Sequence, residues 1–234
     1  MLPPGDILIH CGDFANKGNK QDVQYFIQWM SGLSQYPEKY VIDGNHDRTL
    51  KKNASAKDNI DLQQMFERSD SVYLLQDEFI ETKHGILIYG ASWNTCESGS
   101  FPHRFHLQPD IFLAHSPPYL SRSITIPQVG EDKSNGWKMN RELADVVLSN
   151  KIPLCLGGHV HWTRGVVEVK HYTRQNGREW TNDSIATKEG GAREDKSVFV
   201  NASSLQSQRS DPYMAPPIVI DFDVFRRMPI RIKY

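Results

Sequence analysis

"PLCLGGHVHWTRG", residues 153–165, closes an apolar run with Gly157 and Gly158 and then offers His159 and His161 two positions apart. In extended backbone alternate side chains share a face, so this spacing directs both imidazoles toward one point. The glycines take away side-chain bulk and let the chain bend as it leaves a sheet. One cation, or a close pair, suits that point; two surface histidines on a turn are the plainer alternative. Other strand ends in the chain decide between them.

Three more apolar runs end in polar turns. "DILIHCGD" ends at Gly12-Asp13, "KYVIDGNHD" at Gly44-Asn45-His46-Asp47, and "DIFLAHSPP" at His115-Ser116-Pro117-Pro118. Each alone is weak, because Gly-Asp turns are common and Asn45 and Asp47 also serve as turn formers. Together, four strand ends offer carboxylate, amide carbonyl and imidazole in one order, which points to a metal-dependent site. Oxygen and imidazole donors without thiolate suit manganese, iron or zinc. Between the first two runs, "NKQDVQYFIQWMSGL" sets Val23, Phe26, Ile27, Met30 and Leu33 at helical spacing behind a capping Asn19. Strand, helix and strand make a parallel βαβ unit with both polar turns on one sheet edge.

Residues 53–69 read as a polar helix, and "NRELADVVLSN" reads as another. "SVYLL", "EFIET", "GILIYGASW", "RGVVEVK", "SVFVNASS", "PIVIDFDVF" and "IRIKY" read as strands. This order predicts an α/β chain with two sheets face to face and helices outside, rather than a doubly wound fold. A length of 234 residues suits a single domain over 1–234. A polar, glycine-containing loop or insertion is expected at about 171–196. With 38% hydrophobic residues and a formal net charge of −1, neither disorder nor a basic nucleic-acid surface is indicated. No apolar run approaches the ~20 residues of a membrane helix, and the first residues lack the features of a signal peptide. Cys11, Cys96 and Cys155 read as reduced thiols, so a cytoplasmic address is expected.

The ordered set G-D, G-N-H-D, apolar run ending in His, then G-H-x-H resembles the signature of the calcineurin-like metallophosphoesterases. The spelling "GDILIHCGDFANKG … VIDGNHD … LIYGASW … FLAHSPP … LGGHVH … VNASS" is most similar to the small metallophosphoesterase-domain-containing phosphodiesterases. The resemblance implies a four-layer αββα sandwich with two metal ions at its strand ends. It makes Asp13 the carboxylate that bridges both metals. Asn45, His115 and His159 complete one site, and His161 belongs to the other. His46 becomes the non-ligand histidine facing the substrate phosphate, with Asp47 as its orienting partner. The implied reaction is hydrolysis of a phosphoric ester, phosphodiesters and cyclic nucleotides among the substrates, by metal-hydroxide attack on phosphorus with His46 assisting the leaving group. The implied partner is a small phosphate ester or nucleotide, with no membrane and no nucleic acid. Trp93 in "GASWN" either walls a nucleotide base or packs beneath the site.

The chain departs from this pattern in one respect. The family opens with a strand ending in D-x-H, whose Asp and His bind the metal that His161 touches, and the residues here start after that strand. The expectation is therefore a sandwich without its first strand, one full site and one site reduced to Asp13 and His161. Such a chain holds about one cation tightly. Two explanations follow: a chain starting at an internal methionine, or a degenerate, inactive or very slow nucleotide-binding module with a single metal site. The intact spelling of the remaining motifs favours the first.

Overall fold

The structure is a computed structural model describing residues 2–16, 19–47, 50, 56–119, 140–161, 164–170, 196–208 and 211–233. β1 (Ile7–His10) and β2 (Glu38–Val41) pair in parallel across α1 (Lys20–Ser31). Asn19 caps α1 by accepting the Asp22 N–H at 2.8 Å, and Val23, Phe26 and Met30 form its buried face. α2 (Ala56–Glu67) leads to β3 (Val72–Leu74), which extends the sheet in the order β1-β2-β3.

The chain then builds β4 (Glu78–Glu81), β5 (Leu87–Gly90), the short α3 (Trp93–Ser98), β6 (Ile111–Leu113), α4 (Arg141–Ser149), β7 (Leu154–Gly157), β8 (Gly165–Lys170) and β9 (Lys196–Asn201). Their six strands form a mixed sheet in the order β4-β5-β6-β7-β9-β8. β5, β6, β7 and β9 run parallel, and β4 and β8 flank them antiparallel. Two antiparallel hairpins follow, β10 (Leu205–Gln208) with β11 (Asp211–Met214), and β12 (Val219–Asp223) with β13 (Met228–Lys233).

β6 and β7 are buried along their whole length, which is why they read as unbroken apolar runs rather than alternating ones. Their alternate residues nevertheless separate into different clusters. Phe112, Cys155 and Phe199 pack with Trp93, Cys96, Leu143, Ala144 and Val147 of α3 and α4. Ile111, Leu113, Leu154, Leu156, Val198 and Val200 pack with Tyr40 and Ile42, and with Ile7 and Ile9 of β1. The period of two along each strand therefore assigns one face to the helices and the other to the second sheet. A third cluster joins Leu8 and Val41 to Val23, Phe26 and Met30 of α1 and Leu62 and Phe66 of α2. The α/β character is thus as expected, and the larger sheet proves to be mixed.

The polar stretch expected at about 171–196 lies outside the described residues up to 195, and Lys196 opens β9. No helix among the described residues is long and apolar enough to cross a membrane. Cys11, Cys96 and Cys155 are free thiols.

Candidate metal centre

The turns after β1, β2, β6 and β7 are linked to one another. Beyond β1, Gly12 takes φ +91° and Asp13 φ 60°, a left-handed pair that folds the carboxylate back over the strand end. Asp13 Oδ1 accepts the backbone N–H of His46 at 2.8 Å, tying the first turn to the second. Gly44 allows that approach: a Cβ there would lie 2.6 Å from Asp13 N and 2.7 Å from His115 Cε1. Gly158 N donates to His115 O at 2.9 Å, linking the last two turns.

His115 is the buried centre of the group. Its Nδ1 is 2.6 Å from the Cys11 carbonyl, so Nδ1 carries a proton, and in the neutral ring the Nε2 lone pair faces the site. Nε2 lies 3.2 Å from Asp13 Oδ2 and 3.1 Å from Asn45 Oδ1. A lone pair and two acceptor oxygens meeting in this way repel one another unless a positive charge lies among them. Either a cation or a proton on Nε2 supplies it. Burial works against charge on His115, but the Asp13 carboxylate outweighs it and raises the imidazole above its ordinary value. Burial likewise pushes Asp13 up, and His115 and the His46 amide more than offset it, so the carboxyl sits below the usual range.

Donor atoms of Asp13, His115 and His159 all lie within 4.8 Å of one another, and the His115 and His159 ring centroids are 4.9 Å apart. Oxygen and imidazole donors at that separation fit a divalent transition metal. Asp13 and His159 (φ 62°) are both non-glycine residues in the left-handed region, so two members of the group sit on strained backbone.

The sequence reading of the G-H-x-H turn needs one correction. β7 ends at Gly157, His159 is left-handed and His161 is not extended, so extended alternation does not reach the histidines. His159 joins the donor group, while His161 stands outside it among the described residues. Asn201 holds the turn between them, donating from Nδ2 to the Val160 carbonyl at 2.7 Å.

Asp47 was expected beside the His46 ring, but its hydrogen bonds run to backbone. It is fully buried and accepts N–H from Asp13 (2.7 Å), Gly44 (2.8 Å) and Ala15 (2.8 Å). Burial pushes its carboxyl up to about 7 against the pull of the Gly44 and Ala15 amides. Asp47 thereby locks the first turn to the second, and His46 is left exposed at the rim. Trp93 is only 8% exposed, with its ring centroid 5.4 Å from each of the His115 and His159 rings. It packs against the histidines and presents little free face to a base.

Sequence reasoning passed over the residues behind Trp93. Asp43 Oδ1 accepts the Trp93 N–H at 3.2 Å, and burial pushes the Asp43 carboxyl up to about 6. Asp77 binds the N–H and hydroxyl of Ser92, the N-cap of α3, at 3.0 and 2.8 Å. The one local signal was Ser92 itself, a capping residue seven positions before Gly99. Trp162 and His171 lie outside the described residues.

Residues 2–163 match the family model of the calcineurin-like phosphoesterases. UPF0046 protein C25E10.12 of Caenorhabditis elegans is 28% identical over 193 residues, covering 70% of this chain and 64% of that protein. Metallophosphoesterase domain-containing protein 1 of Homo sapiens is 30% identical over 202 residues, covering 71% of this chain and 57% of that protein. The chain spans less than two thirds of the length of these curated relatives. The crystal structure of TT1561 of Thermus thermophilus aligns with a TM-score of 0.42 at 15% identity, over 66% of this chain and 69% of that one. The family match includes all four metal-centre turns, and the chain belongs to the calcineurin-like phosphoesterases, a family of hydrolases that act on phosphoesters and typically bind divalent metals.

Proposed function

We propose that this chain is a metal-dependent phosphodiesterase built as a single αββα domain. Asp13, Asn45, His115 and His159 would hold one manganese, iron or zinc ion. His161, with Asp13, would contribute to a second site. The observation that carries this reading is the meeting of His115 Nε2 with Asp13 Oδ2 and Asn45 Oδ1, with a His159 nitrogen within 4.8 Å of the Asp13 and His115 donors, a set that a divalent cation would satisfy. Bound there, a divalent ion supplies a Lewis acid for a phosphoryl oxygen and lowers the pKa of water.

The chain's own residues then divide the work. His115 presents Nε2 because Cys11 holds its other nitrogen. Asp47 fixes the turn that carries Asn45 and His46. His46, exposed and tied through its backbone N–H to Asp13, would protonate a leaving alkoxide. Small phosphodiesters, cyclic nucleotides among them, are the substrate class.

A single donor group among the described residues favours a second reading, a nucleotide-binding module with one cation and negligible turnover. Manganese-dependent hydrolysis of bis(p-nitrophenyl) phosphate separates the two. The enzyme reading expects turnover that His159→Ala abolishes together with metal retention. His46→Ala should keep the metal and lower turnover by ~10²–10⁴-fold. A protein that retains manganese and binds a cyclic nucleotide without hydrolysing either substrate supports the module instead.

A further inference from the structure

Trp93 is the shared neighbour of the two clustered imidazoles. Its ring meets His115 edge-on at 80° and His159 at 48°, each at 5.4 Å between centroids, while the two imidazoles lie 4.9 Å apart. The three rings form a closed triangle, so the indole borders both imidazole planes. Ring plane decides where a nitrogen lone pair points, and therefore whether two histidines can serve one ion. For His159 this matters more, because its left-handed backbone places it away from any regular strand or helix.

The indole is itself fixed from behind. Its backbone N–H is held by Asp43, the residue that leads directly into the Gly44-Asn45 turn. Ser92 is bound twice by Asp77, through its backbone N–H and its hydroxyl. α3 thus touches the turn after β2, the turn after β6 and both imidazoles within six residues.

Resting on the metal-site reading above, we propose that Trp93 is a positioning residue of the cation site: its indole sets the planes of His115 and His159, and Asp43 and Asp77 anchor it through the start of α3. A residue that merely fills the core would not share this triangle. Phe101 supplies the comparison, since it is 4% exposed in the same cluster and its ring contact is to Phe112 at 6.0 Å.

The test uses cobalt(II) as probe, with affinity from calorimetry, coordination from the visible ligand-field bands, and fold from the melting temperature, on the full chain. Trp93→Leu and Phe101→Leu should both lower the melting temperature. Only Trp93→Leu should weaken cobalt binding, by about 10–100-fold, and shift the bands, as loss of support around a metal ligand does. Trp93→Phe, which keeps an aromatic ring, should fall between wild type and Trp93→Leu in both affinity and spectrum. Should Trp93→Leu fail to fold, Trp93→Phe alone carries the comparison. Unchanged affinity and bands in the folded Trp93 variants overturn the proposal, as does an equal loss in Phe101→Leu. Wild-type protein that binds no cobalt overturns the metal-site reading itself, a distinguishable result.

Discussion

At the scale of single residues, His10 shows what burial does to a titratable group beside the metal turns. Its ring lies edge-on to Phe14 and Phe26, with centroids 6.1 and 5.0 Å away, and its Nδ1 has no hydrogen-bond partner among the described residues. Burial, and then the neighbouring His115 imidazole, lower its pKa from 6.5 to about 4. The folded chain keeps His10 neutral where the unfolded chain would protonate it. The unfolded state therefore binds the extra proton between pH 6.5 and about 4, and stability is lost as pH falls through that window. The contribution is about 3 kcal/mol. Urea unfolding at pH 7.5 and pH 4.5 should show a smaller acid loss in His10→Phe than in wild type; equal losses would assign the effect to other groups. Gly44 makes a second prediction. Because its missing Cβ would press on Asp13 N and His115 Cε1, Gly44→Ala should weaken manganese binding by about 10–100-fold, the range for disturbed support of a ligand. Calorimetry at matched pH would show it, and binding equal to wild type would mean that the turn relaxes without moving its donors.

At the scale of elements, one carboxylate carries much of the site's order. Asp47→Ala would leave the N–H groups of Asp13, Gly44 and Ala15 without their acceptor. Buried donors of this kind cost ~1–3 kcal/mol each, so the variant should lose about 3 kcal/mol or more in metal-free denaturant unfolding. A loss below about 1 kcal/mol would mean that the turns find other acceptors. The same scale separates what the sequence made legible from what it hid. α1 was visible because Val23, Phe26 and Met30 recur at helical spacing after a capping Asn19. α3 was hidden because "WNTCES" is too short to show a period, and its start is defined by Asp43 and Asp77, distant in sequence. β10 and β11 were hidden too, since neither "LQSQ" nor "DPYM" alternates apolar with polar. At the G-H-x-H turn the residue types were readable but the backbone was not, because left-handed His159 obeys no strand period.

At the scale of the whole molecule, the period of two in β6, β7 and β9 separated the clusters on either face of the larger sheet, and strand-like runs made that arrangement readable in advance. The packing of separate hairpins could not be read this way, since local alternation does not say which edges meet. Among the described residues β1 pairs only with β2 and β12 only with β13, while both strands pack on the cluster shared by the two sheets. Open edges of this kind accept another strand. A strand ending in Asp-x-His, joined ahead of Leu2, should raise tightly bound manganese from about one equivalent to two and increase aryl phosphodiester turnover by orders of magnitude. Elemental analysis after dialysis measures the first and initial rates the second. Unchanged stoichiometry in a folded, extended protein would show that the added residues do not reach Asp13 and His161.

The register of β8 and β9 has a further consequence. Gly165 lies opposite Asn201 at the metal end of the larger sheet, and Lys170 lies opposite Lys196 at the other. Six residues of strand, ~20 Å of extended chain, therefore separate the metal turns from the points where residues 171–195 depart and return. The two strand ends are already neighbours, so a tight glycine-containing turn could bridge them. Grafted there, a foreign epitope or a reporter domain would ride on the phosphoesterase as cargo.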